Sequence, residues 1–275
     1  MKNLIISICF LVSVKSVAQY KELIVKSGET VTIGAANQTN DVVTIKHLIM
    51  EDNSTIVVQE NLESIVIKVK KSTVGSNTKI LSSRAKDGVN GSNTGGQARG
   101  GGRCRGGTTG AVGGNATSGT PATDITLDIC FISLGNLIIE SRGGKGGNGG
   151  KGQTGGNGGR GSCSNGCGGG PGASGGTGGA AGNGGDSGDV FVYYRYKDKK
   201  DSSPPNVTII NNGGIAGNPG PGGNPGAGGG GVNNCGPWPH WSHGGGPGGR
   251  SGASGQSGTN GNDGKSDLIF GKYKG

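Results

Sequence analysis

Between residues 20 and 83 the apolar positions come in short runs and not at helical spacing. The segments KELIVKSG, TVTIG, DVVTIKHLIM, STIVV and SIVIKVKK are rich in β-branched residues, and Gly, Asn and Asp punctuate them, as at Asp52-Asn53. Runs of this kind predict strands, because branched side chains suit a pleated, half-buried surface. No 3.6-residue period crosses the stretch. The close spacing of the runs fits an all-β, short-strand scaffold, a β-solenoid more than a sandwich.

Beyond residue 76 a longer unit occurs three times. A strand runs into a Gly/Asn-rich stretch in SNTKILSSRAKDGVNGSNTGG, in GNLIIESRGGKGGNGGKG and in NVTIINNGGIAGNPGPGG. Each stretch returns through an aspartate to a new apolar strand: ATDITLDICFISL (Asp124), SGDVFVYYRY (Asp189) and KSDLIFGKY (Asp267). The earlier TNDVVTIKHL, around Asp41, has the same form. The order implies three excursions that leave one β scaffold and come back to it. The chain therefore divides into residues 1–19, a scaffold at 20–83, and strands alternating with glycine-rich excursions at 84–275.

Glycine accounts for 66 of the 275 residues, but its period says more than its abundance. It falls at every third position from Gly143 to Gly161, in a new frame from Gly166 to Gly178, and again from Gly246 to Gly264. Three residues per turn is the repeat of an extended polyproline-II-type helix. Glycine along one edge lets such helices approach backbone to backbone. The frame is broken at Gln153-Thr154, Ser164-Asn165 and Ala173-Ser174, about ten residues apart. At roughly 3.1 Å per residue, turns at those steps predict antiparallel legs of about 30 Å. Isolated helices of this type have no internal hydrogen bonds, so lateral N–H···O=C bonds and anchorage in a scaffold would have to hold them. With 10 prolines and interrupted frames the chain is not collagen. The maintained frame, the cysteines and the regular return to strands stand against a disordered linker.

The first residues, MKNLIISICFLVSVKSVAQ, carry Lys2, an apolar run from Leu4 to Val14 and a small-residue step at Ser16-Val17-Ala18. They read as a secretory signal peptide, too short to span a membrane, with the cleaved product beginning near Gln19 or Tyr20. Five cysteines follow. Cys130, in the apolar run ICFISL, is expected to be a buried thiol. Cys104, Cys163, Cys167 and Cys235 lie in glycine-rich stretches and are disulfide candidates. Their pairing is open, although Cys163 and Cys167 are near enough to close a short loop. Scattered spacing without paired CxxC motifs excludes a zinc site.

The net charge of +9 is spread along the chain, with clusters at Arg99 to Arg105 and Lys197 to Lys200. A basic secreted protein favours anionic partners. Aromatic residues make up 4% and none interleave with the basic clusters, so nucleic-acid binding has no support.

The runs GGKGGNGGKG, GGNGGRG and GGPGASGGTGG resemble the polyglycine-II helix bundles of phage tail-fibre receptor-binding adhesins, over roughly residues 85 to 265. They are also similar to the glycine-rich bundle of snow-flea type antifreeze proteins. The adhesin resemblance implies a rigid slab whose exposed loops recognise a surface receptor, although phage fibres carry no signal peptide. The antifreeze resemblance implies a flat face that orders water. Lys145, Asn148, Lys151, Arg160 and Asp186 occupy third positions here, and charge on such a face disfavours ice. That family also lacks a strand scaffold.

One segment interrupts the glycine with demanding side chains. VNNCGPWPHWSHGGG holds both tryptophans, Trp238 and Trp241, with His240 and His243. The tryptophans either cover the side of the bundle or contact a ligand, since indole faces stack on sugars and anchor interfaces. His240 and His243 lack a third ligand nearby, so no metal is expected. GGDSGDVF (Asp186, Asp189) and GNDGKSDLIF (Asp263, Asp267) share the style of the calcium-binding nonapeptide without its spacing or tandem array, and read as turn residues leading into strands. No HExxH or P-loop pattern occurs, and the GASGG at 172–176 lies in glycine repeat and not between a strand and a helix, so catalysis and a cofactor are not expected. The resulting expectation is a secreted or cell-surface structural and adhesive protein that presents loops to an extracellular glycan or surface protein. It would involve no nucleic acid and no membrane insertion. A homo-oligomer is compatible with the sequence. Ice binding and a glycan-active β-solenoid enzyme are the alternatives.

Overall fold

The structure, a computed structural model, describes residues 18–197, 204–236 and 241–274. Most of the expected signal peptide, Trp238, His240, Lys199 and Lys200 lie outside them. The described residues form strands and no helix. Six strands build one parallel sheet in the order β1 (Ala18–Val25), β3 (Asn40–Met50), β5 (Ser64–Val74), β7 (Asp124–Leu134), β9 (Val190–Tyr196) and β13 (Ser266–Phe270). Five shorter strands build a second: β2 (Thr30–Ile33), β4 (Thr55–Val58), β6 (Thr78–Ser82), β8 (Leu137–Glu140) and β10 (Val207–Ile210). Long and short strands alternate along the chain, so each pair is one turn of a coil laid on the last. That is the winding of a solenoid; a sandwich of antiparallel sheets is ruled out by the parallel pairing.

The core lies between the two sheets and is built in columns. Ile45, Val69, Ile129 and Tyr194 are in register across four strands, as are Val43, Ile67, Leu127 and Val192, and all are buried. Ile56, Val58, Ile80, Leu137 and Ile139 face them from the shorter strands. Burying each such side chain contributes roughly 1.5–3 kcal/mol. The alternation that packs this core slips once in each of the long strands nearest the N-terminus. Lys46 and His47 are consecutive and neither packs in the core, and Lys70 and Lys71 repeat this one turn later. Cys130 is free and half-buried on the outer side of β7, while its neighbours Ile129 and Phe131 fill the core; the expected buried thiol is one position out of phase.

The glycine-rich excursions all leave after a short strand and return to a long one, at 83–123, 141–189 and 211–265. In the first two turns of the coil the same return takes only residues 34–39 and 59–63. The excursions are therefore enlarged copies of one loop, placed side by side by the stacking of the coil. Their hydrogen bonds run between segments at every third residue. Gly143, Gly146, Gly149 and Gly152 donate to the carbonyls of Asn212, Ile215, Asn218 and Pro221 in the third excursion. The next residues in sequence, Gly144, Gly147 and Gly150, donate to Thr120, Thr117 and Gly114 in the first. The remaining positions, Lys145, Asn148 and Lys151, face water, and there side chains replace backbone as acceptors. Their N–H groups donate to the side-chain carbonyl or carboxylate oxygens of Asp87, Asn90 and Asn93, at 2.7–2.8 Å. Thus two residues of each three-residue step bond to neighbouring segments and the third is capped from the surface, leaving few donors unpaired.

The legs run past two of the three expected turns. Gly152 and Gly155 keep the same pairing with the third excursion, to Pro221 and Asn224, straight through Gln153-Thr154. The pairing likewise continues from Gly172 through Ala173-Ser174 to Gly175. Gln153 occupies a position otherwise held by glycine, and the first excursion makes room with one extra residue beside it. The partners shift between Thr94–Lys151 and Ala98–Thr154, around Gly96, whose φ of 72° an L side chain rarely adopts. The Gln153 amide fills the widened gap, accepting from the Ala111 N–H at 3.0 Å and donating to the Gly95 carbonyl at 3.3 Å. Only Ser164-Asn165 is a true reversal, closed by mutual backbone bonds between Ser162 and Cys167. The aspartates at the returns do more than turn the chain. Asp124 accepts the N–H of Asp189, and Asp189 in turn accepts that of Lys265, so each return is keyed to the next.

Candidate functional site

At the end of the glycine-rich excursions far from the coil, three reversals are joined. The first contains Cys104, at φ 64°, with the Arg105 N–H bonded to the Gly102 carbonyl. The second is the turn at 162–167. The third is a hairpin of β11 (Val232–Cys235) and β12 (Trp241–His243), in which Cys235 pairs with Trp241 and Val232 with His243. All four candidate cysteines are disulfide-bonded here: Cys104 to Cys167 and Cys163 to Cys235. The short Cys163–Cys167 loop does not form. These two residues sit on the two sides of one turn and reach outward to different neighbours, so that the first tip is joined to the second and the second to the third.

A polar depression of about 520 Å³ opens between these reversals. Arg103 and Arg160 line it with Ser162, Cys163, Ser164 and Val232. Ser162 and Ser164 share a hydrogen bond at 2.9 Å. Neither arginine has a carboxylate within ion-pair distance among the described residues. Two unpaired guanidinium groups beside hydroxyls form a site for an oxyanion, because the planar fork of arginine matches carboxylate or sulfate in a charge-assisted, bidentate contact.

Of the four aromatic and imidazole candidates, Trp241 and His243 are described. Trp241 is 48% exposed. Its ring lies against Gly236, where a Cβ would collide with the indole, so glycine at 236 lets the ring lie flat on the hairpin. The Nε2 atom of His243 is buried and has no hydrogen-bond partner among the described residues. The hairpin that carries Trp241 is tied to the arginine depression: Val232 and Cys163 line the depression, and they connect to the hairpin through strand pairing with His243 and the bond to Cys235. Arg103 and Arg160 were legible only as basic residues in glycine-rich sequence. Their meeting depends on the pairing of the first two excursions, seen in the bond from the Cys104 N–H to the Arg160 carbonyl.

No His/Cys/Asp/Glu group that could hold a metal occurs among the described residues, and no helix there is long and apolar enough to cross a membrane. Comparison with protein-family models, curated proteins and solved structures finds no match to the chain.

Proposed function

We propose that the chain is a secreted or cell-surface structural and adhesive protein. In this reading its glycine-rich excursions form a polyglycine-II-type bundle that holds a glycan-binding tip away from the coil. The observation that carries it is the tip itself: Arg103 and Arg160 without ion pairs among the described residues in a polar depression, and an exposed Trp241 on the hairpin that contributes Val232 to its lining. A flat indole and a forked cation are the two groups that recognise an acidic sugar, one by stacking on its C–H face and the other by gripping its carboxylate or sulfate. The lateral bonds at every third residue support the polyglycine-II reading, and the two disulfides fit an oxidising compartment. Charges at the outward third positions Lys145 and Lys151 continue to disfavour ice binding.

A glycan array tests the tip. Acidic glycans are expected to bind the full chain, with Trp241→Ala and Arg103→Gln/Arg160→Gln each weakening the signal by at least 10-fold. Absence of any glycan signal, or equal binding by all three proteins, overturns the reading.

A further inference from the structure

We propose that the outer face of the coil carries a second binding site, for an extended anionic polysaccharide lying across the strands of the six-stranded sheet. This site is independent of the tip and stands on the opposite part of the fold. Strand register places its cations in a column. Tyr20 pairs with Ile45 and Glu22 with His47, which puts Lys21 opposite Lys46. Ile45 pairs with Val69 and Leu48 with Ser72, which puts Lys46 opposite Lys70 and His47 opposite Lys71. Three lysines therefore follow one another at the strand spacing of roughly 4.8 Å, about the length of one sugar unit in an extended chain.

Like charges directly opposite across strands are unfavourable. Lys21, Lys46, Lys70, Lys71 and Lys197 make no ion pair among the described residues. Glu22, beside Lys21 in sequence, contacts His47 at 3.1 Å. The slip in alternation turns Lys46 and His47, and again Lys70 and Lys71, away from the core, and a depression of about 500 Å³ there is lined by the five lysines, His47 and Ile132. Ile132 is 43% exposed and gives an aliphatic surface for the C–H face of a sugar.

A row of point charges on flexible stems suits the repeating carboxylates or sulfates of a polysaccharide. No tryptophan, tyrosine or phenylalanine lines the depression, so the bases of a single-stranded nucleic acid would find no ring to stack on.

The test uses the full chain and four probes: polygalacturonate, dextran sulfate, neutral dextran and oligo-dT, with anionic phosphatidylglycerol vesicles as a fifth. Both anionic polysaccharides are expected to bind and neutral dextran not to. Lys21→Gln/Lys46→Gln/Lys70→Gln should weaken that binding at least 10-fold at low salt and flatten its salt dependence, since fewer counterions are exchanged. Lys145→Gln/Lys151→Gln/Arg250→Gln, which removes the same charge from the bundle, should change it less than 2-fold. All these binding measurements are made in the Arg103→Gln/Arg160→Gln/Trp241→Ala background, which disables the tip's own grip on the same probes, so the two sites can fail separately. A melting temperature unchanged in the coil variant excludes loss of fold. The proposal is overturned if neither polyanion binds, if both triple variants behave alike, or if oligo-dT or vesicles bind this face more tightly than either polysaccharide.

Discussion

Replacing Gly147 with alanine is expected to destabilise the protein by about 1–3 kcal/mol, the usual effect of forcing an extra methyl group into a filled interior. The added carbon would lie within 3.0 Å of the Val89 carbonyl oxygen, and a backbone group fixed by its own bonds cannot move aside. The Gly147 N–H already donates to Thr117 at 3.0 Å, so the leg cannot withdraw without losing that bond. Gly95 is the matched control. It has nothing within 4 Å of the position a Cβ would take and no unusual φ, so Gly95→Ala should be neutral or stabilise by about 0.4–1 kcal/mol through the unfolded chain. Thermal melts of the two variants decide the matter. A fall of about 2–4 °C per kcal/mol is expected for Gly147→Ala. Equal melting temperatures would mean that the legs are not packed backbone to backbone.

Removal of the tip disulfides is the second large effect. Cys104–Cys167 and Cys163–Cys235 enclose 63 and 72 residues of sequence separation, and loops of that length place the stabilisation from restricting the unfolded chain at about 4 kcal/mol each. The loss should be local first. The coil core is held by the buried columns of Ile, Leu and Val, whereas the tip has only backbone bonds and the β11–β12 hairpin. In Cys163→Ser/Cys235→Ser, amide exchange is expected to accelerate at 158–170 and 228–246 while strands β3, β5 and β7 stay protected. Uniform acceleration would show the bundle and the coil to unfold as one unit, and no acceleration would show the disulfides to be dispensable. The same variant should also lose tip binding, because Cys163 lines the depression.

The strands and the aspartate-led returns were legible because their signals are local: β-branched runs, Gly and Asn punctuation, and an acidic residue at each restart. The division into two sheets was not, since which runs share a sheet depends on the length of a full turn of the coil. The expected turns at Gln153-Thr154 and Ala173-Ser174 show where the local signal misleads. A break in glycine frame looks the same in sequence whether the chain reverses or a neighbour yields space, and beside Gln153 it is the neighbour that yields, at Gly96. The cysteine pairing stayed open in the sequence for a related reason. Nearness in sequence allowed a loop between Cys163 and Cys167, but each bonds across to an adjacent excursion. The candidate site was legible in its aromatic half, at Trp241, and hidden in its basic half. Arg103 and Arg160 meet only because two excursions are stacked in register.

The lateral pattern of bonds has a mechanical consequence. A load applied at the tip and resisted at the coil acts along the legs, at right angles to the bonds between Gly143, Gly146, Gly149 and their partners. Those bonds are then sheared together; they cannot be opened one after another as in a hairpin peeled from its end. With the three tips linked covalently in series, tension entering at one reversal is shared among all the legs. Such an element works as a stiff strut, suited to holding whatever it grips at a constant distance under flow.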